Sequence, residues 1–334
     1  MRTVALGDGG MRASALGFGC SAVLGRVGRR ESLAALGAAY DAGITFYDTA
    51  RSYGYGESEA LLGEFLRGRR ESVVVSTKFG ILPAQTNFFK ETVKPLARKV
   101  LQMVPSARKA VQRQIGAQFS ANNFTVEVLR ESVETSLRRL GTDYVDLLFM
   151  HSAPVSVLQQ EDLLAEMQTM VGEGKVRRAG ISAEPEVIEA ALEANPEGLK
   201  SFQFPCNLFD LRIAERLKGR ESDVVAVANH PFGGVLRVAE SKTRLAALGK
   251  DDGTSQALRE KLLVVDDAVL ADVVLNAITE GTGIQVVIPS MMQVRHLRTN
   301  VAVMERSQFS SEELAWLRRA MMAAVTRGAE EPRG

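Results

Sequence analysis

Residues 126–151 read VEVLRESVETSLRRLGTDYVDLLFMH and hold one complete helix–strand unit. The first part of the segment has apolar residues at spacings of three and four, which form one apolar stripe along a helix. The members of this stripe are Val126, Leu129, Val133, Leu137 and Leu140. The run 144–151 that follows is almost continuously apolar, as in a parallel strand that is covered on both faces. The segment therefore predicts a helix packed against a buried parallel sheet.

Similar strand-like runs recur along the chain, with segments of helical period between them. Besides 144–151, the candidate strands are residues 15–19, 44–49, 73–79, 177–182, 201–205, 224–229 and 283–289. Eight such units in a chain of 334 residues predict an α/β fold of the (β/α)8 TIM-barrel type. A doubly wound open sheet is the alternative. No G-x-G-x-x-G follows the first strand, which argues against a dinucleotide-binding Rossmann unit.

Three segments fall outside these units. Residues 1–14 predict a β-hairpin that turns within GDGG and caps the lower end of the barrel. Residues 82–123 form an insertion between the third strand and its helix, and residues 309–334 form a C-terminal helix. The polar end of that helix segment, 327–334, is expected to be a disordered tail. The whole chain, 1–334, is interpreted as a single barrel domain.

Composition limits the classes of function. Lys and Arg together number 41 against 40 Asp and Glu, so charge gives no reason to expect nucleic acid as a partner. No apolar run is long enough to span a bilayer, and the first residues lack the apolar core of a signal peptide. Cys20 and Cys206 have no paired spacing, which argues against a disulfide framework or a zinc site. We therefore expect a cytoplasmic protein.

Four residues predict a proton-transfer site. Asp48, Lys78 and His151 each close a strand-like run, and Tyr53 follows Asp48 by five residues in the next loop. Active sites of (β/α)8 barrels lie at the C-terminal ends of the strands, so we expect these four side chains to meet there. Because buried charge is costly unless it is paired, Asp48 and Lys78 should pair with each other.

This constellation is suited to the reduction of a carbonyl group. Tyr53 would donate a proton to the carbonyl oxygen while a cofactor delivers hydride. A phenol has a pKa of about 10, and the Lys78 ammonium beside it would favour the phenolate and so strengthen the acid. Asp48 would hold and neutralise Lys78. His151 would orient the carbonyl through a ring N–H or help to relay the proton.

Several strings of this sequence resemble the aldo-keto reductase superfamily. They are FYDTARSYGYGESEALLGEFL, VVVSTKFG, VLRESVETSLRRLGTDYVDLLFMH and GKVRRAGIS. The resemblance runs in order from about residue 12 to residue 305, with 82–123 as the main gap. It implies a (β/α)8 barrel that binds NADP(H) or NAD(H) without a Rossmann fold. It also implies the roles argued above for the four residues, with a small aldehyde, ketone, sugar or alcohol as substrate.

The resemblance further implies a set of cofactor-binding positions. These are Gly19, Cys20, Ser182, Gln203, Asn229, Pro231, Phe232, Gly233, Ser290, Met292, His296 and Asn300. Ser182 and Gln203 match residues that hold the nicotinamide carboxamide. The Asn that usually follows that Ser is Ala183 here, and Asn229 stands where an aromatic residue often stacks on the nicotinamide ring.

The segment IPSMMQVRHLRTN, residues 288–300, matches the part of the family that holds the adenosine end of the cofactor. Asn300 matches the adenine contact. The basic residue that often favours the 2′-phosphate of NADP is Ser290 here, and the Arg often found later is His296. The resemblance implies NADP as the cofactor, and these two exchanges leave NAD as the alternative.

Other functions remain as alternatives. His151, His230 and His296 are the only histidines and all lie near the predicted catalytic face, which would suit a metal-dependent barrel hydrolase. Their spacing shows no metal-binding pair, so no metal is predicted. A nucleotide-sensing subunit with little or no activity is the second alternative. The insertion 82–123 is basic and amphipathic, and we expect it to form part of the pocket wall rather than to contact a membrane or an acidic partner.

Overall fold

The computed structural model describes residues 1–24, 27–83, 123–220 and 222–330, with side chains up to residue 323. In chain order, the strands of these ranges are β1 (Thr3–Ala5), β2 (Arg12–Ser14), β3 (Gly17–Gly19), β4 (Phe46–Asp48), β5 (Val74–Phe79), β6 (Val145–His151), β7 (Val176–Ser182), β8 (Leu199–Pro205), β9 (Val225–Asn229) and β10 (Val286–Ile288). Every predicted strand therefore has a counterpart in the structure.

Helices follow the strands along the chain. They are α1 (Arg29–Asp41), α2 (Ser58–Leu66), α3 (Val126–Leu140), α4 (Glu161–Gly172), α5 (Pro185–Ala194), α6 (Arg212–Arg216), α7 (Val235–Leu248), α8 (Gln256–Lys261), α9 (Asp267–Thr279), α10 (Val294–Glu305) and α11 (Ser311–Glu330). The apolar stripe of α3 is buried from Leu129 to Leu140 as predicted. Thr125 caps its first turn, and Gly141 ends it in the left-handed conformation with φ 65°.

Strands β3 to β10 form one parallel sheet in sequence order. A parallel bridge between Leu16 and Val287 brings the first and last strands together, and the Val287 N–H donates to Ala15 O at 2.9 Å. The sheet thereby nearly closes into a barrel with helices between its strands. The prediction of a (β/α)8 fold is confirmed, and the open doubly wound sheet is not formed.

The N-terminal hairpin covers the lower end of the barrel. Strands β1 and β2 pair antiparallel, and the Leu6 N–H donates to Met11 O at 2.8 Å across the turn. Leu6 and Met11 pack in one buried cluster with inward-facing residues of the barrel strands, such as Phe46 and Val225. The hairpin predicted from GDGG therefore forms and fills the barrel bottom with apolar side chains.

The two ends of the predicted insertion meet at the end of β5. The Asn123 N–H donates to Gly80 O at 2.9 Å, two residues after Lys78. Most of the insertion, 84–122, lies outside the described residues. Its predicted role in the pocket wall therefore remains a prediction.

The C-terminal helix forms as expected. Ser310 and Glu313 make a reciprocal capping box, in which Ser310 N donates to Glu313 Oε2 at 2.7 Å and Glu313 N donates to Ser310 Oγ at 3.2 Å. The helix α11 is assigned to Glu330, and the expected disorder of the tail 327–334 stays a prediction. Residues 331–334 lie outside the described ranges.

Candidate active site

The register of the sheet places polar side chains in one layer at the C-terminal end of the barrel. Asp48 pairs with Ser76 of the next strand, and His151 pairs with Ser182, which pairs with Gln203. Residues two positions earlier on these strands are small or apolar, because inward-facing positions alternate along a strand. The interior is thus apolar below and polar at the mouth.

Asp48 and Lys78 form a buried ion pair. The Lys78 Nζ lies 2.8 Å from Asp48 Oδ1 and 2.7 Å from Asp48 Oδ2. Only 1% of Lys78 and 5% of Asp48 is exposed. Burial lowers the pKa of Lys78, but the charge and hydrogen bond of Asp48, together with Tyr53, outweigh burial and raise it. Lys78 is therefore a charged ammonium at neutral pH.

Tyr53 reaches this ion pair from a tight loop. Its hydroxyl lies 3.2 Å from Lys78 Nζ, which donates the hydrogen bond. Three left-handed residues follow it, Gly54 (φ 58°), Tyr55 (φ 59°) and Gly56 (φ 87°). A side chain at position 54 would place its Cβ 2.9 Å from Val23 O, so the turn needs glycine there. This turn fixes the start of α2 and the direction in which Tyr53 enters the barrel mouth.

The donors of Lys78 are all used. Besides Asp48 and Tyr53, its Nζ donates to Thr49 O at 2.9 Å. An ammonium has three N–H donors and no acceptor. The Tyr53 oxygen therefore accepts from Lys78, and the phenolic proton is left for another acceptor. Burial raises the pKa of Tyr53 and the Lys78 charge acts against burial, with a net rise. The Lys78 charge lowers the pKa of Tyr53, as the sequence led us to expect, but burial raises this pKa by more.

His151 completes the layer beside Tyr53. The two ring centroids lie 5.7 Å apart with an interplanar angle of 84°, an edge-on contact. Burial, followed by the Lys78 charge, lowers the pKa of His151 from 6.5 to about 3, so the imidazole is neutral. Its Nδ1 is buried and has no hydrogen-bond partner among the described residues. All four residues predicted from the sequence are thus brought together.

Two of the predicted cofactor positions join the same network. Ser182 Oγ donates to Gln203 Oε1 at 2.8 Å, and Gln203 Nε2 donates to Asp48 Oδ1 at 2.8 Å. Cys20 follows β3 in the buried layer, where burial raises the pKa of its thiol. Gly19 ends β3 and pairs with Asp48 in register.

The remaining predicted positions lie beyond the ends of β9 and β10. Asn229 ends β9, and its Oδ1 lies 2.9 Å from His230 Nδ1. After it come Pro231, Phe232 and Gly233; after β10 come Ser290, Met292, His296 and the buried Asn300. They share the C-terminal end of the barrel with the tetrad, which consists of Asp48, Tyr53, Lys78 and His151. No hydrogen bond described for residues 1–24, 27–83, 123–220 and 222–330 links them to it.

Ser76 was not singled out from the sequence. Its Oγ donates to Asp48 Oδ1 at 2.8 Å, so it supports the carboxylate from β5. The signal was present, because Ser76 stands two positions before Lys78 and therefore shares its face of the strand.

A second buried pair behind the layer was also missed. Glu59 accepts a hydrogen bond from Thr77 at 2.7 Å, and its Oε2 lies 3.9 Å from Arg51 Nε. Burial raises the pKa of Glu59 and lowers that of Arg51. Both charges lie in the loop and helix that flank Tyr53, so they help to fix the loop against β5. No sequence spacing marks this pair.

Within the described part of the chain, no group of three or more His, Cys, Asp or Glu side chains is arranged to hold a metal ion. His230 and His296 lie on separate elements, the loop after β9 and helix α10. The described helices also include none that is long and apolar enough to cross a membrane.

The family model described as "Aldo/keto reductase family" matches residues 15–321. The chain belongs to the aldo/keto reductase family. The resemblance found in its sequence is thereby confirmed, and the match includes the four residues of the buried layer.

This aldo-keto reductase has relatives of moderate identity. It is 29% identical to "Probable aldo-keto reductase 1" of Glycine max, over 70% of this chain and 60% of that protein. It is 24% identical to "Uncharacterized oxidoreductase YqkF" of Bacillus subtilis (strain 168), over 94% of each chain. The chain spans 52% to 60% of the length of three of the curated relatives that it matches.

Among solved structures, the aldo-keto reductase resembles AKR11C1 from Bacillus halodurans in its holo form. The TM-score is 0.70 at 22% identity, and the comparison covers 96% of both chains. At this identity the likeness supports the fold, and the fold of nearly the whole chain is shared.

Proposed function

We propose that this protein is an NAD(P)-dependent oxidoreductase that interconverts a carbonyl and an alcohol, with Tyr53 as general acid and base. The observation that carries the proposal is the hydrogen bond from Lys78 Nζ to the Tyr53 oxygen at 3.2 Å. Because Lys78 donates, the phenolic proton points elsewhere and is available to a substrate oxygen. Aldehydes, ketones or sugars are the proposed substrate class.

Each residue of the layer has a role in the proposed reaction. Tyr53 gives its proton to the developing alkoxide, and the Lys78 ammonium stabilises the phenolate that remains. Asp48 keeps Lys78 in place and compensates its charge. The neutral His151 hydrogen-bonds to the carbonyl oxygen through a ring nitrogen and orients it. In the reverse direction, the Tyr53 phenolate accepts the proton of the alcohol.

The residues at the mouth fit a nicotinamide cofactor. Ser182 and Gln203 present a hydroxyl and an amide at the ends of β7 and β8, which complement the donors and acceptor of a carboxamide. A nicotinamide held there would supply or accept the hydride of the proposed reaction. We propose NADP as the cofactor, because Arg295 and Arg298 flank His296 and could contact the 2′-phosphate of NADP. NAD is the alternative, because Ser290 and His296 replace basic residues that are common in the family.

Nucleotide titration combined with paired tyrosine variants tests the proposal. Purified protein is titrated with NADPH and NADH, and binding is followed by cofactor fluorescence or by Trp316, the single tryptophan. Tyr53→Phe should bind the nucleotide as the wild type does and lose carbonyl reduction by roughly 10²- to 10⁴-fold. Tyr55→Phe is the matched control, since Tyr55 lies in the same loop and is 57% exposed. Its reduction rate should stay near that of the wild type.

The outcomes separate the alternatives. Failure to bind either nucleotide would overturn the proposal. Tight binding without reduction of any aldehyde, ketone or sugar in a broad panel would instead support a nucleotide-sensing barrel. Ala183 in place of the usual Asn, and Asn229 in place of an aromatic residue, would suit that alternative. Cytoplasmic location stays a prediction from the sequence.

A further inference from the structure

Asp48 is hydrogen-bonded from two opposite sides of the barrel. Its Oδ1 accepts from Ser76 and Lys78 of β5, the neighbouring strand, and also from Gln203 of β8. In the strand order β3 to β10, β4 and β8 are four positions apart in a ring of eight. The Gln203 side chain therefore crosses the mouth of the barrel to reach Asp48.

Gln203 is held at both ends of its amide. Its Nε2 donates to Asp48, and its Oε1 accepts from Ser182 Oγ, each at 2.8 Å. The side chain is 1% exposed, so no bulk water competes for these bonds. Hydrogen bonds thus run without interruption from Ser182 through Gln203 and Asp48 to Lys78 and Tyr53.

The bond from Gln203 affects how strongly Asp48 interacts with Lys78. A donor on a carboxylate stabilises its charged form and reduces its basicity. Without the Gln203 donor, Asp48 would attract the Lys78 ammonium more strongly, and the ammonium would stabilise the Tyr53 phenolate less. In a buried network such effects are transmitted from one hydrogen bond to the next.

We propose that Gln203 is a positioning residue that couples occupancy of the nicotinamide site to proton transfer at Tyr53, acting through Asp48 and Lys78. A carboxamide oxygen that accepts from Ser182 Oγ takes away the donor of Gln203 Oε1, and so changes the bond that Gln203 Nε2 makes to Asp48. The inference rests on the proposed function in one respect, the binding of the carboxamide at Ser182 and Gln203.

Among the residues that the structure describes, few charged and titratable groups face Tyr53. Asp48 and Lys78 face it from β4 and β5, Cys20 from the turn after β3, and His151 from β6. Burial raises the pKa of Cys20, and His151 is neutral down to about pH 3. A change in the pH dependence of proton transfer above neutrality therefore reports on Tyr53 and the Asp48–Lys78 pair.

Three variants separate coupling from simple cofactor contact. Gln203→Met is close in size and removes both amide bonds, Ser182→Ala removes the carboxamide partner, and Ser76→Ala removes another donor to Asp48. The first readout is the ¹³Cζ NMR signal of Tyr53 in cofactor-free protein, identified among the five tyrosines by Tyr53→Phe. The second readout is the pH profile of kcat for alcohol oxidation, which needs the Tyr53 phenolate.

The proposal expects a specific pattern. Gln203→Met and Ser76→Ala should both move the Tyr53 signal and shift the oxidation profile to higher pH by roughly 0.5–1 unit, as expected when one of several hydrogen bonds to a carboxylate is lost. Ser182→Ala should weaken nucleotide binding and move the Tyr53 signal of cofactor-free protein by less than half as much. Gln203→Met should weaken nucleotide binding as well as move the Tyr53 signal by the full amount.

An unchanged Tyr53 signal and pH profile in Gln203→Met, with weaker nucleotide binding alone, would show that Gln203 only contacts the cofactor and would overturn the proposal. If Gln203→Met does not fold, Gln203→Leu serves in its place, since it also removes both amide bonds and places no second carboxyl group against Asp48. Because the NMR readout needs no turnover, it tests the link from Gln203 to Tyr53 even if the wild type reduces no carbonyl.

Discussion

Gly180 of β7 packs so closely on Ser201 of β8 that a Cβ at position 180 would lie 2.1 Å from the Ser201 carbonyl oxygen. The two residues are register partners at the point where the β7–β8 ladder shifts. Two positions further along the same strands stand Ser182 and Gln203, so this close approach sets the spacing of the candidate cofactor site.

Gly180→Ala should therefore damage both the fold and the site. Backbone atoms must move to admit the methyl group, and overpacking of this kind costs typically ~1–3 kcal/mol. We expect a loss of free energy of unfolding of at least that size in urea titration, with weaker nucleotide binding by the folded fraction. Gly37→Ala in α1 is the control, since nothing lies within 4 Å of an added Cβ there. That change should stabilise the protein by ~0.5–1 kcal/mol. Equal effects of the two substitutions would contradict the packing argument.

The buried ion pair leads to a second prediction. Lys78→Met leaves the Asp48 carboxylate buried without its counter-ion, and loss of one partner of such a pair typically costs ~3–5 kcal/mol. Chemical denaturation of the variant checks this value. Adding Asp48→Asn to Lys78→Met should recover a large part of the lost stability but no activity. Lys175→Met removes the partly exposed partner of Glu134 and Glu173 and should change stability by less than ~1 kcal/mol. A double variant no more stable than Lys78→Met would argue against charge as the cause.

His151 should make stability depend on pH. The pKa of His151 is about 3 in the folded chain, below its ordinary value of 6.5, because of burial and then Lys78. Between these values the unfolded chain binds more protons, so the free energy of unfolding falls as the pH falls through this window. The contribution reaches about 1.4 kcal/mol per pH unit.

Comparison of His151→Gln with the wild type by urea unfolding at several pH values isolates this contribution. The variant should lose less stability than the wild type on acidification. Parallel pH curves for the wild type and His151→Gln would show that the imidazole is hydrated in the folded protein.

The sequence predicts the barrel and the tetrad for physical reasons. Parallel strands covered on both faces are apolar runs, and a charged residue that closes such a run is costly to bury alone. Asp48 and Lys78 could therefore be paired, and strand alternation could bring His151 into the same layer. Tyr53 could be added because its loop directly follows Asp48.

Other features depend on positions that no local pattern encodes. The bond from Gln203 to Asp48 joins strands on opposite sides of the nearly closed barrel, so only barrel geometry brings the two residues together. The rise in the pKa of Tyr53 depends on how far burial exceeds the effect of Lys78. The pair of Arg51 and Glu59 depends on how α2 packs against β5.

The hydrogen bond between Asn123 and Gly80 has a consequence for how this chain can vary in length. It joins the points where the chain leaves β5 and returns to it, and Phe124 packs directly on Gly80. The chain before and after this segment is thus held together beside the strand that carries Lys78. A change in the length of the chain between Gly80 and Asn123 would therefore leave this junction, and the register of Lys78 in β5, as they are.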